Sequence, residues 1–166
     1  MELNSLTEPK ENTGIDRIEN EEDIWKIPLF DIWVENDDRK PSNPNMLRKQ
    51  VGYDSIKLYA LDHAFCFNSL KYTDLNPIFG VTQGFNDNIL YTDLAKYLLS
   101  KNKYSTDFVQ KVTSFFQEKI SLSKTHFESL WSFLPAEFGL QEEDRKKMYN
   151  FLFYQNRNEE VIRHFF

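Results

Sequence analysis

Three short stretches of this chain hold residues whose types and spacing suit chemistry: Asp37-Asp38-Arg39, then Asn43 five residues after Asp38, then the pair Asp62-His63. A carboxylate, a carboxamide oxygen and a second carboxylate form a hard oxygen set. Such donors suit Mg²⁺, which takes one or two carboxylates and keeps waters and phosphate oxygens on its other positions. The chemistry served is phosphoryl transfer. Negative charge spreads between the attacking and leaving oxygens, and a held metal and fixed geometry are what stabilise it. Asp38 and Asp62 can share a cation only if the chain between them folds back.

The segments around them read as such a fold-back. EEDIWKIPLFDIWVEN, residues 21–36, is predicted helical, with Ile24, Ile27, Phe30 and Val34 at three- and four-residue steps and acids in the first turn. Pro28 falls near its start, where a missing amide does least damage. A polar loop, DDRKPSNPN, follows. MLRKQV and IKLYALD read as short strands joined by GYDS, a glycine-containing hairpin connection. The helix delivers Asp38 and Asn43 into one loop and the hairpin returns the chain to Asp62. All three are expected to converge at one end of the hairpin.

Residues 63–91 have weak periodicity and read mainly as loop. Beyond them the pattern turns helical. Thr92 caps TDLAKYLLSK, and Ser105 or Thr106 caps a longer helix carrying Phe108, Val112, Phe115, Phe116 and Ile120. Phe127, Leu130, Trp131 and Leu134 mark a third helix ended by Pro135. EEDRKKMYNFLFYQ is a fourth, acidic at its start, with Met148 and Leu152 inward. The expected class is α+β, mostly helical, with a short β-hairpin after the polar loop and then a helical bundle.

Charge divides the chain unevenly. Residues 1–23 hold eight acids against Lys10 and Arg17, which accounts for the whole formal net charge of −6. An acidic, apolar-poor leader at residues 1–20 is expected to stay solvated and disordered, ahead of a folded domain at 21–166. The neutral remainder offers no general basic field, which disfavours nucleic acid. No apolar run reaches transmembrane length, and the single cysteine, Cys66, fits a reducing compartment, so the expected location is cytoplasmic.

FDIWVENDDRKPSNPNML followed by YALDHAFCF resembles the pattern of HipA-like kinase domains, in which an Asp-Arg catalytic loop runs into Asn-Pro-Asn and an Ile/Leu-Asp-His takes the place of Asp-Phe-Gly. The matching residues are Asp31, Trp33, Asn36, Asp38, Arg39, Asn43, Pro44, Asn45 and Leu47, then Leu61, Asp62 and His63. LPAEF, residues 134–138, resembles the family's Pro-x-Glu-aromatic segment. The resemblance covers residues 27–157, strongly as far as Phe67. It implies a protein-kinase-like carboxy-terminal lobe that transfers a phosphoryl group from Mg·ATP to a hydroxyl. Asp38 would be the catalytic residue that orients the hydroxyl. Asn43 and Asp62 would hold Mg²⁺ and, through it, the nucleotide. Arg39 and Asn45 would brace the loop.

The chain departs from the family before the first helix. A kinase of this kind needs strands over the phosphates, a lysine on them and that lysine's acidic partner. The acidic leader has one lysine and neither a strand pattern nor a glycine-rich loop. The expectation is a carboxy-terminal lobe incomplete without a separate amino-terminal lobe, carried by another polypeptide or other protein partner. The alternative is a non-catalytic interaction module derived from that lobe, with Trp25, Trp33 and Tyr59 exposed on the uncovered surface. A metal-dependent hydrolase on the same oxygens is a third reading and has no nucleophile pattern behind it. His63 reads as a structural hydrogen-bonding residue and Cys66 as a packed core thiol.

Overall fold

The computed structural model describes residues 18–53, 55–69, 74–79, 88–99 and 104–166. Of the acidic leader, residues 1–17 lie outside the described residues. The elements are α1 (Asp23–Val34), β1 (Met46–Gln50), β2 (Ile56–Ala60), α2 (Asp93–Leu99), α3 (Thr106–Ser132), α4 (Glu142–Phe153) and α5 (Gln155–Phe165), with short 3-10 turns between them. The architecture is mostly helical α+β. No described helix is long and apolar enough to cross a membrane.

α1 is the centre of the core. Ile24, Trp25, Leu29, Ile32, Trp33 and Val34 are all buried, because α5, α2 and the Ile89–Tyr91 turn pack around it. A helix enclosed on most sides has no single apolar stripe. The predicted Ile24–Ile27–Phe30–Val34 face is therefore only part of what is buried, and Phe30 is instead 42% exposed. Pro28 sits well inside the helix rather than near its start, so the carbonyl one turn earlier receives no amide from it. Trp25 and Trp33, expected on an uncovered surface, are buried, while Tyr59 is exposed. Trp33 Nε1–H donates to the Leu152 carbonyl at 2.9 Å and ties α1 to the end of α4.

The hairpin forms where the alternation predicts it. β1 and β2 pair antiparallel with Met46 opposite Ala60 and Gln50 opposite Ile56. Leu61 N–H donates to the Asn45 carbonyl at 2.8 Å and carries the ladder one pair further, into the loop. The outer edge of β2 is covered by Ile18–Asn20. Glu19 N–H donates to Ile56 O at 2.9 Å, and the Asn20 carboxamide exchanges hydrogen bonds with Leu58, donating to its carbonyl at 2.9 Å and accepting its N–H at 3.0 Å. Asn20 thus does for β2 what a third strand's backbone would do.

The helical half differs from expectation in two respects. The predicted fourth helix stops at Phe153, and after Tyr154 in extended backbone (φ −72°, ψ 120°) an unpredicted α5 begins at Gln155. The two helices read on either side of residues 121–126 are one continuous α3 of 27 residues. SLSKTH is polar but contains no proline or glycine, so the backbone ladder crosses the gap in the apolar pattern without interruption. The capping signals hold: Thr92 Oγ1 accepts from Ala95 N–H at 3.2 Å and Ser105 Oγ from Phe108 N–H at 3.3 Å. Asp144 Oδ2 accepts from Gln141 N–H at 2.8 Å at the start of α4. The LPAEF segment is an exposed turn, closed by Gly139 in the left-handed region (φ 65°).

Candidate functional site

The loop after α1 begins with a left-handed residue. Glu35 caps the helix at φ 50°, ψ 53°, its N–H turned back on the carbonyls of Asp31 and Ile32. Among the described residues only Glu35, Asn45, Asp62 and Phe67 are non-glycine residues with positive φ. Such conformations are uncommon for non-glycine residues, with Asn and Asp the most tolerant. Of these, Asp62 belongs to the predicted site and Asn45 was expected to brace its loop.

The polar loop is organised around two aspartates. Asp31, wholly buried on α1, accepts from Asn36 Nδ2–H at 2.9 Å and from Arg39 Nε–H at 2.8 Å. Burial pushes its carboxyl above the usual value, while Arg39 and Asn36 pull the other way. Asp38, half-buried, turns outward. Its Oδ2 accepts from Asn45 Nδ2–H at 2.8 Å and from Asn43 Nδ2–H at 3.1 Å. Because both amide hydrogens point at Asp38, the Asn43 and Asn45 oxygens face elsewhere. On Asn43, which is exposed, that leaves a carbonyl-type oxygen available to a cation.

Asp62 enters the same neighbourhood through the hairpin. Its residue before, Leu61, is hydrogen-bonded to Asn45, and its own carbonyl accepts from Arg39 Nη2–H at 3.5 Å. Asp62 Oδ1 takes the Ala64 N–H at 3.0 Å in a tight turn and its second oxygen is not engaged by that bond. Arg39 also reaches the carbonyls of Pro44 (3.3 Å) and Asn45 (2.5 Å) and the His63 ring. A guanidinium has no acceptor, so His63 Nε2 must accept at 3.2 Å. His63 is a hydrogen-bonding residue in an edge-on contact with Phe30.

The loop bearing Asp38 and Asn43 and the turn bearing Asp62 are therefore joined by Arg39 and by the Asn45–Leu61 pair. Among the described residues no three of His, Cys, Asp and Glu cluster as a metal site. The donors on hand are two carboxylates and a carboxamide, which fit a hard cation that keeps several waters better than a zinc-type centre. Two grooves, of about 350 and 560 Å³, run along α3, and neither is lined by Asp38, Asn43 or Asp62.

Sequence reading missed the partner of Arg39. An aspartate at position 31, within the apolar run from Ile27 to Val34 of α1, was the available signal. Cys66 packs against the core as expected, and burial beside Asp31 pushes its thiol up to about 11. No family model, no curated protein and no solved structure matches the chain.

Proposed function

We propose that this chain is a HipA-like kinase carboxy-terminal lobe carrying residues for Mg·ATP-dependent phosphoryl transfer to a hydroxyl. The observation that supports the reading most is that Asn43 and Asn45 both donate to one oxygen of Asp38 while Arg39 ties the same loop to Asp62. In this reading Asp38 orients the acceptor hydroxyl and takes its proton. Its orientation is set beforehand by the two carboxamides. Asn43 and Asp62 would hold Mg²⁺, which neutralises phosphate charge when bound. Asp31, Asn36 and Arg39 are structural in this reading, a buried polar cluster beneath the loop.

In this reading the adenine and ribose would take their cover from a separate amino-terminal lobe. A second reading, a non-catalytic interaction module, draws support from the exposure of Phe30, Tyr59, Leu61 and Phe65 around the hairpin end. Isothermal titration with Mg·ATP, alone and with a candidate second lobe, separates the two. The kinase reading expects metal-dependent binding that Asp62→Asn weakens at least about 10-fold, the scale of losing one charged ligand interaction. It also expects Asp38→Ala to abolish transfer while nucleotide still binds. Absence of metal-dependent binding in both settings would leave the interaction reading.

A further inference from the structure

The geometry points to Arg39 as the positioning residue of the site: it sets the two left-handed backbone residues, Asn45 and Asp62, that bring the Asp38 loop and the Asp62 turn into register. The contacts leave little room for a lesser role. Arg39 is only 1% exposed, and its fork reaches Asp31 through Nε, the Pro44 and Asn45 carbonyls through Nη1, and the Asp62 carbonyl and His63 through Nη2. The two left-handed residues, at φ 43° and φ 52°, both present their carbonyls to this one guanidinium. In extended backbone those oxygens would lie elsewhere and the buried N–H groups would lose their acceptors. An unmet buried donor on a charged group is costly, so the guanidinium stabilises the strained conformations against relaxation.

Each of the two residues controls a functional side chain. Asn45 donates to Asp38, and its carbonyl takes the Leu61 N–H as well as Arg39. Asp62 is itself the second carboxylate. Asp31 supplies the buried counter-charge that lets a guanidinium sit there at all. Lysine could not replace the fork, because a single ammonium cannot reach acceptors spread over both loops. The metal in this inference belongs to the phosphotransfer reading; the backbone geometry does not depend on it.

The test uses Arg39→Lys and Asp31→Asn, with Arg39→Met as the stronger change. Amide hydrogen exchange at Leu61 reads the geometry, and Mn²⁺ binding by electron paramagnetic resonance reads the metal site. Expected are about 10- to 100-fold faster exchange at Leu61 and about 10- to 100-fold weaker Mn²⁺ binding, with the amides of α3 and α4 unchanged. Exchange at Leu61 that stays at the wild-type rate in Arg39→Lys and Asp31→Asn overturns the inference. A wild-type chain that binds no Mn²⁺, either alone or with nucleotide and a candidate second lobe, sinks the phosphotransfer reading, while Leu61 exchange still decides the role of Arg39. If Arg39→Met fails to fold, the two milder variants carry the same decision.

Discussion

Replacing Arg157 should expose how the end of α1 is held to α5. Arg157 and Glu35 are both fully buried and meet at 3.4 Å, and Arg157 Nη2–H also donates to the Trp33 carbonyl at 2.7 Å. The guanidinium lies 3.7 Å from the centre of the Phe151 ring. Burial still outweighs these partners and brings the guanidinium down from its ordinary value to about 10. At about 1.4 kcal/mol for each pKa unit, the uncompensated burial amounts to roughly 3 kcal/mol. The folded-state value of this base is lowered, so the penalty is present throughout neutral pH and is relieved only as pH rises through 10.

The pair as a whole should thus add little stability, whereas losing one partner should be severe. Arg157→Met removes the cation 3.4 Å from the buried Glu35 carboxylate, at a cost of about 3–5 kcal/mol. Adding Glu35→Gln should return about 2 kcal/mol of that loss, a coupling typical of contacting charged residues. Urea unfolding followed by tryptophan fluorescence suits the measurement, since Trp33 belongs to the same junction. The slope against urea should stay constant, which keeps the comparison one of stability. A single-variant loss below about 1 kcal/mol, or a double variant no better than the single, would refute the reasoning.

Two further outcomes follow from the core. Cys66, with its thiol pushed up to about 11 by burial, should react with a disulfide reagent at pH 8 about two powers of ten more slowly in the folded chain than in urea; equal rates would show it accessible and unperturbed. Phe127 sits among Trp131, Tyr149 and Phe153 at 6.0, 5.3 and 5.7 Å, so Phe127→Ala should cost about 3–5 kcal/mol in urea unfolding by undoing the α3–α4 contact. A loss below about 1 kcal/mol would mean that this cluster collapses around the missing ring.

Some elements could be read before any coordinates. Thr92 and Ser105 cap where their types and positions suggest, because a side-chain oxygen satisfies amides local to it. The hairpin is equally local: alternation and a short connection set its register, and that register carries Asn45 to Leu61. The length of α3 was misread because apolar periodicity reports what a helix packs against, not where its ladder ends. Around residues 121–126 the face is exposed and the periodic signal fades, yet nothing breaks the backbone. The enclosure of α1 was invisible for the opposite reason. Its burial depends on α5, more than a hundred residues away in the chain.

The sequence alone determined the polar loop, the hairpin after it, and the starts of α2, α3 and α4, since each rests on interactions between near neighbours. Only the tertiary structure decided which aspartate faces inward. Asp31 became the buried partner of Arg39 and Asp38 the outward carboxylate because α1 is enclosed by packing from distant segments. The same enclosure buried Glu35 beside Arg157. A charge withdrawn from water must find an opposite charge wherever the fold provides one, and sequence distance carries no record of that meeting.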